Sequence, residues 1–307
     1  MSATILLLGV PDEPPLALAA SALRDQGLPF LVWDQRRIAA SRCEVWIDDQ
    51  GMGGLLECPD WRLPLDQVAG AYTRLAAWPA LPELEGRADD DPLVAHAAAL
   101  HQALDAWLES TPARVVNRSA ANDSNNSKPF QALCIRQHFF VPDTLVTNDP
   151  QAALAFCQAH ARTIYKSISG ERSIVTEFGP ADLERLPLLR NAPLQLQALV
   201  EGFDVRVHVV GDTVFATRIL STAIDYRYDH SSSGAAFSAF ELPSDVAEAC
   251  VQLAREMALG LAGIDLRFAP DGRVYCFEVN PSPAYSAFES ETGQPISRAL
   301  AAYLAGA

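Results

Sequence analysis

Apolar residues run unbroken from Ile5 to Leu8 and are closed off by Gly9 and Pro11, which predicts a short buried strand over residues 4–10. Helical spacing follows over residues 16–26 up to Gly27, and a second apolar run over residues 29–34 carries Trp33. Strand alternating with helix predicts a small parallel sheet within residues 4–117. Residues 91–110 set Leu93, Ala97, Leu100, Leu104 and Trp107 or Leu108 on one stripe, an amphipathic helix with His96 and His101 at its boundary or in solvent. Residues 117–128 are polar and turn-rich and read as an interdomain linker. A helix over residues 129–138, a strand over 141–147, a helix opened by Asp149 and Pro150, and a strand over 163–166 come next. Residues 194–220 alternate strand and turn. Ser244 stands to cap a helix over 245–261 with Val246, Leu253, Met257 and Leu261 as its stripe, and a helix over 296–304 closes the chain.

The apolar strands of residues 263–268 and 274–283 flank Pro270-Asp271-Gly272, a hairpin signal because Pro presets φ and Gly supplies a positive one. Met52-Gly53-Gly54, after Gly51, reads as a hairpin turn too, since no Lys-Ser or Lys-Thr follows to complete a phosphate loop.

Composition narrows the class. With 307 residues, 49% of them hydrophobic and 20% charged, the chain is an ordinary globular protein with room for two or three subdomains. A formal net charge of -15 repels nucleic-acid backbones, so no nucleic-acid partner is expected and phosphate binding must rest on local cations such as Lys166, Arg172, Arg206, Arg218, Arg227 and Arg267. The opening residues lack a basic segment and Pro11 interrupts them too soon for a signal peptide or a membrane span, which predicts a cytoplasmic protein with no membrane partner. Six cysteines without a CxxC pair fit reduced core thiols.

The candidate chemistry lies in the last hairpin. Residues two apart in a strand project from one face, so Glu278 and Asn280 point the same way and Asp265 on the partner strand is placed to face them. Two carboxylates and an amide oxygen make a hard, oxygen-only set suited to Mg²⁺ that keeps waters and bridges nucleotide phosphates; the other reading is a hairpin with its polar residues in solvent. Lys166 at a strand end precedes Ser167-Ile168-Ser169-Gly170-Glu171-Arg172-Ser173, small residues that let backbone N–H groups approach phosphate, whereas an ordinary hairpin is the alternative. A second small-residue loop, residues 230–236, suits a substrate lid.

Glu278-Val279-Asn280-Pro281-Ser282-Pro283, then Phe288-Glu289-Ser290-Glu291-Thr292-Gly293 and the closing helix, resemble the C-terminal end of ATP-grasp ligases. The branch they resemble most holds the ribosomal-protein glutamate ligases and the microviridin-type graspetide macrocyclases. The resemblance implies that Asp265, Glu278 and Asn280 hold the Mg²⁺ of ATP, and that Lys128 and Lys166, with Ser169 and Gly170 of the loop, approach the phosphates. It implies an adenine hinge at Gln197-Ala198-Leu199-Val200, with backbone contacts from Ala198 and Val200, and Asp204 on the ribose; Ala198 departs from the acidic residue common there. Ile224-Asp225-Tyr226-Arg227 resembles the macrocyclase triplet in which the arginine lies by the acyl phosphate, so Arg206, Arg218 and Arg227 are the expected catalytic cations. Arg74, in a Tyr-x-Arg-like strand, with Arg172 and Asp225, is a candidate for substrate contact, or Arg74 is a surface residue.

The implied fold is α/β with α+β subdomains: an ATP-grasp fold divided at residues 1–117 (a Rossmann-like pre-ATP-grasp unit), 118–196 (central, with the phosphate lid) and 197–307 (with the metal site). The implied function is an ATP- and Mg²⁺-dependent carboxylate–amine or carboxylate–hydroxyl ligase acting through an acyl phosphate, with a precursor peptide as substrate and a homodimer left open. A ligase of the glutamate-adding type, acting on a small peptide or amino acid, and an inactive nucleotide-binding scaffold are the alternatives.

Overall fold

The computed structural model describes residues 4–49, 51–168, 175–220 and 236–306. The chain opens with β1 (Thr4–Gly9), α1 (Pro14–Asp25) and β2 (Phe30–Asp34), continues through β3 (Arg42–Asp48), β4 (Gly51–Cys58) and β5 (Trp61–Pro64), and returns by β6 (Val68–Arg74), α2 (Pro92–Ser110) and β7 (Arg114–Val116). Strands β2-β1-β6-β7 form the expected parallel sheet, and β3-β4-β5 a separate antiparallel one. Asp91 caps α2 through its bond from the Leu93 N–H at 2.7 Å, and Ala97, Leu100, Leu104, Trp107 and Leu108 are its buried stripe. His96 and His101 are half-buried; the first lies 3.1 Å from the Ile38 and Ser41 carbonyls, the second 3.1 Å from Gln35.

Met52-Gly53-Gly54 is not the turn the sequence suggested, because all three residues pair with β3 inside β4. The glycines serve close approach instead: a Cβ on Gly53 would stand 2.3 Å from the Trp46 indole nitrogen, and one on Gly54 2.6 Å from Leu65 Cδ1.

The middle of the chain holds α3 (Ser119–Asn122), α4 (Lys128–Ile135), β8 (Thr144–Thr147), α5 (Pro150–Ala159), β9 (Thr163–Ser167), β10 (Thr176–Glu177) and β11 (Leu194–Ala198). Its antiparallel sheet runs β10-β9-β11-β8, with Leu196 and Ala153 buried on the α5 side. The start of the expected linker is no loose connection. Asn117 is 4% exposed, and its amide binds Gly260 N, Leu261 N, Leu261 O and Pro281 O. A polar side chain is favourable in that core only because all its hydrogen-bonding capacity is used.

The last part comprises β12 (Phe203–Val210), β13 (Thr213–Leu220), β14 (Ala236–Ala239), α6 (Ser244–Glu256), β15 (Leu261–Phe268), β16 (Val274–Asn280), α7 (Ser286–Thr292) and α8 (Ile296–Ala305). Its antiparallel sheet has the order β14-β13-β12-β15-β16. One face, with Val205, Val207, Ile264 and Val279, packs on α6 and α4; the other carries Arg206, His208 and Asp265. The helix before this hairpin is shorter than its periodicity suggested: Ser244 is its first residue rather than its cap, and it stops at Glu256. Ala258 takes a positive φ of 56°, and the Leu259 N–H returns to Ala254 O, so a left-handed cap turns the chain into β15, which claims Leu261.

One core joins both ends of the chain: Ile5, Leu7, Leu16 and Tyr72 pack with Leu261, Tyr285, Ile296, Leu300 and Leu304. Helix α8 comes so near β6 that a Cβ on Gly70 would sit 2.3 Å from Leu304 O. All six cysteines are free. Among the described residues no helix is long and apolar enough to cross a membrane.

Candidate functional site

A cleft lies between the β10-β9-β11-β8 sheet and the β15–β16 edge of the five-stranded sheet. Two adjoining cavities share Lys166, Gln197, Phe277 and Glu278. The first is walled by Ile164, Val175, Leu199, Val200 and Phe277, and the second reaches Lys128 at the start of α4. Ser127 caps that helix by accepting from the Phe130 N–H, which sets Lys128 in its first turn.

Register brings the hairpin residues together. Asp265 pairs directly with Glu278, and Gly263 with Asn280. The pairing then slips by one residue between Asp265 and Leu266, leaving Phe277 as a bulge that gives the cleft two successive side chains, Phe277 and Glu278. Among the described residues no three His, Cys, Asp or Glu gather to hold a metal. Asp265, Glu278 and Asn280 offer two carboxylates and one amide, so a Mg²⁺ shell there would need water and phosphate oxygens to complete it. Asp265 Oδ1 accepts from Arg206 at 2.7 Å, and Asn280 Oδ1 accepts from the Ser282 N–H at 2.8 Å; each keeps further acceptor capacity. Together with Lys166 and Lys128 on the same cleft, the donor chemistry fits a magnesium–phosphate group.

The expected arginine cluster is not assembled as the sequence suggested. Arg206 is buried, with its side chain 8% exposed, and is held on Asp265; its guanidinium occupies the space over Gly263, where a Cβ would fall 2.2 Å from Nη2. Arg218 pairs in register with Val205, not Arg206, so it leaves the opposite face of the sheet and lies 4.2 Å from the Phe203 ring centroid. Ser169, Gly170, Arg172, Asp225 and Arg227 lie outside the described residues, as do the rest of the expected phosphate loop beyond Ile168 and the loop of residues 230–235.

At the expected hinge, Ala198 N–H donates to Asp143 O at 2.9 Å and Val200 O accepts from Arg267 at 2.8 Å. The Ala198 N–H is thereby spent, while the Val200 carbonyl keeps one further acceptor site. Gln197 is buried and donates to Thr144 Oγ1 at 3.1 Å. Asp204 reaches the cleft paired through both oxygens with Arg267, at 2.7 Å each. Arg74 grips Glu13 and donates to Ser282 Oγ at 2.7 Å and Ser282 O at 3.0 Å, next to the metal strand; burial lowers its pKa, but the Glu13 bond and charge together with Tyr72 and Tyr285 raise it overall. Its donors are spent on tying the first loop to the chain after Asn280, so it is neither a surface residue nor a free cation of the cleft.

Arg267, a candidate phosphate cation by sequence, instead braces both Asp204 and the hinge carbonyl, and His208 had no place in the sequence reading. His208 is wholly buried on the Arg206 face, against Phe288 at 5.0 Å, and neither ring nitrogen has a partner among the described residues. Burial, then the nearby Arg206 charge, hold its pKa well below the ordinary 6.5.

Residues 130–304 match the RimK-like ATP-grasp domain. A ribosomal protein bS6–L-glutamate ligase of Escherichia coli O1:K1 / APEC is 33% identical over 176 residues, 54% of this chain and 58% of that protein. The chain spans 34% to 58% of the length of the curated relatives it matches. The solved ATP-grasp ligase PsnB, complexed with a minimal precursor, is 26% identical with a TM-score of 0.81, over 100% of this chain and 99% of that one. Macrocyclase MdnC of Microcystis aeruginosa MRC, bound with precursor peptide MdnA, shares the fold at a TM-score of 0.82 and 23% identity, over 99% of this chain and 100% of that one.

Proposed function

The chain belongs to the RimK-like ATP-grasp family, and from that premise we propose that it is an ATP-dependent ligase that installs side-chain ester or amide links in a ribosomally made precursor peptide. The observation that carries the substrate class is the end-to-end likeness to PsnB, solved with its minimal precursor, against a likeness to the bS6 glutamate ligase that covers 58% of that protein.

In this reading the base lies against Ile164, Leu199, Val200 and Phe277, Lys166 and Lys128 hold the phosphates, and Asp265 and Glu278 of these cavities hold Mg²⁺ together with Asn280, which lines a further cavity with Arg74 and Ser282. Bound Mg²⁺ supplies charge neutralisation at the phosphates. A substrate carboxylate oxygen attacks the γ-phosphorus and ADP leaves. A hydroxyl or amine then attacks the acyl carbon, phosphate leaves, and the nucleophile gives up its proton. The protein's part is placement and fixed charge. Arg206 orients Asp265 through their 2.7 Å contact. With Arg218 on the other face, the cation for the activated carboxylate is Arg227.

Incubating the protein with ATP, Mg²⁺ and its precursor peptide should remove one water mass per bond formed, with no added amino acid. Arg227→Ala should suppress that loss and leave ATP affinity nearly unchanged, because its contact is to the acyl group and not the nucleotide. A peptide that instead gains the mass of an amino-acid residue would replace this reading with the glutamate-adding one, which the 33% identity to the bS6 ligase favours. Absence of substrate-dependent ADP release would leave the scaffold.

A further inference from the structure

Strand β16 carries two of the metal-site residues at the outer edge of its sheet, where one row of backbone groups has no neighbouring strand. That row is covered piece by piece. Phe140 O accepts from Cys276 N–H at 2.9 Å, and Phe140 N–H donates to Val274 O at 3.2 Å. Past the bulge, a side chain replaces backbone: Gln131 Nε2 donates to Val279 O at 2.7 Å, and its Oε1 accepts from Val279 N–H at 3.3 Å. Gln131 is 3% exposed. Its amide thus pairs with both groups of the one residue that separates Glu278 from Asn280, as a facing strand would. Asn117 secures the far end through Pro281 O and Leu261 O.

Gln131 stands three residues after Lys128 on α4, so the two share a helix face, and both line the second cavity. Given the site reading above, on which this inference rests, we propose that Gln131 is a positioning residue that locks the metal strand to the helix of the phosphate lysine. Tilting the Val279 peptide planes re-aims Glu278 and Asn280 together, so the strength of metal binding depends on an amide that touches neither metal nor nucleotide. Groups that orient metal ligands in this way are worth on the order of 10–100-fold in metal affinity.

The test is calorimetric ADP binding to the full chain across a Mg²⁺ titration. Gln131→Met keeps the volume and removes both bonds; it should raise the Mg²⁺ needed for half-maximal enhancement of ADP affinity by about 10-fold, with Mg²⁺-free ADP affinity unchanged. Ile135→Val, on the same helix and 1% exposed, should lower the melting temperature and leave the Mg²⁺ midpoint where it was. Gln131→Glu accepts from Val279 N–H but has no donor for Val279 O, so it should shift the midpoint in the same direction and decides the matter if the methionine variant does not fold. A wild-type midpoint in either Gln131 variant, or the same shift in Ile135→Val, overturns the positioning role. Wild-type protein that binds ADP equally with and without Mg²⁺ overturns the reading of the site, and the role of Gln131 with it.

Discussion

The carboxylate of Glu278 faces Asp265 across a strand pair at the rim of a cleft, where removing its charge leaves the surrounding core intact. Glu278→Gln and Asn280→Ala should therefore melt within a few degrees of the parent protein and lose ligation, through weakened Mg²⁺ binding. Wild-type turnover by both at saturating ATP and ordinary magnesium would remove them from the metal set. His208 predicts a pH dependence of stability. Its folded pKa lies well below 6.5, so above that pH it is neutral folded or unfolded and contributes nothing. As pH falls below 6.5 the unfolded chain takes up a proton that the folded one refuses, and stability drops by up to about 1.4 kcal/mol per pH unit. Denaturant titrations at several pH values between neutrality and mild acid should show a shallower loss for His208→Leu than for the wild type; equal slopes would show that the ring accepts a proton in the folded state. The Glu278–Asn280 spacing was legible because strand period alone puts both on one face. The face of Arg218 was not, because the tight turn at Gly211 and Asp212 pairs even positions of β12 with odd positions of β13, a register that only the fold reveals.

At the scale of elements, turn chemistry was readable and close approach was not. Pro270-Asp271-Gly272 announced the last hairpin, and Gly272 takes the positive φ of 85° that the turn needs. The bulge at Phe277 and the left-handed cap at Ala258 carry no glycine to mark them, so the helix before β15 was read too long. Asn117 looked like linker because its partners, Gly260, Leu261 and Pro281, lie far along the chain and a polar residue far from its partners resembles a solvated one. Gly70 gives the sharpest prediction for how elements meet. A methyl group there would stand 2.3 Å from the Leu304 carbonyl oxygen, a backbone atom that cannot rotate away. Gly70→Ala should force α8 off β6 and destabilise the protein by about 1–3 kcal/mol, seen as a lower denaturation midpoint at unchanged slope. An unshifted midpoint would mean that α8 does not hold this position in solution.

Over the whole molecule, the core that binds the first sheet to the last helix was hidden from any local pattern, since Leu16 and Leu300 meet only once the chain has closed on itself. Net charge, in contrast, is read directly from the sequence, and it bears on how substrate arrives. A protein of net charge -15 sets up a field that disfavours approach of an acidic peptide, while the cations of the cleft act only at short range, several of them already paired with Asp265, Asp204 or Glu13. The Debye length falls from about 30 Å at 0.01 M salt to about 8 Å at 0.15 M, so added salt screens the long-range repulsion before it weakens contacts inside the cleft. For a precursor peptide rich in Asp and Glu, the association rate measured by stopped flow should therefore rise over this range, the reverse of attractive steering, with the dissociation rate changing less. A peptide of the same length carrying net positive charge should show the opposite slope. If the acidic peptide also associates more slowly as salt is added, local cations at the entrance to the cleft, and not the overall charge, govern its capture.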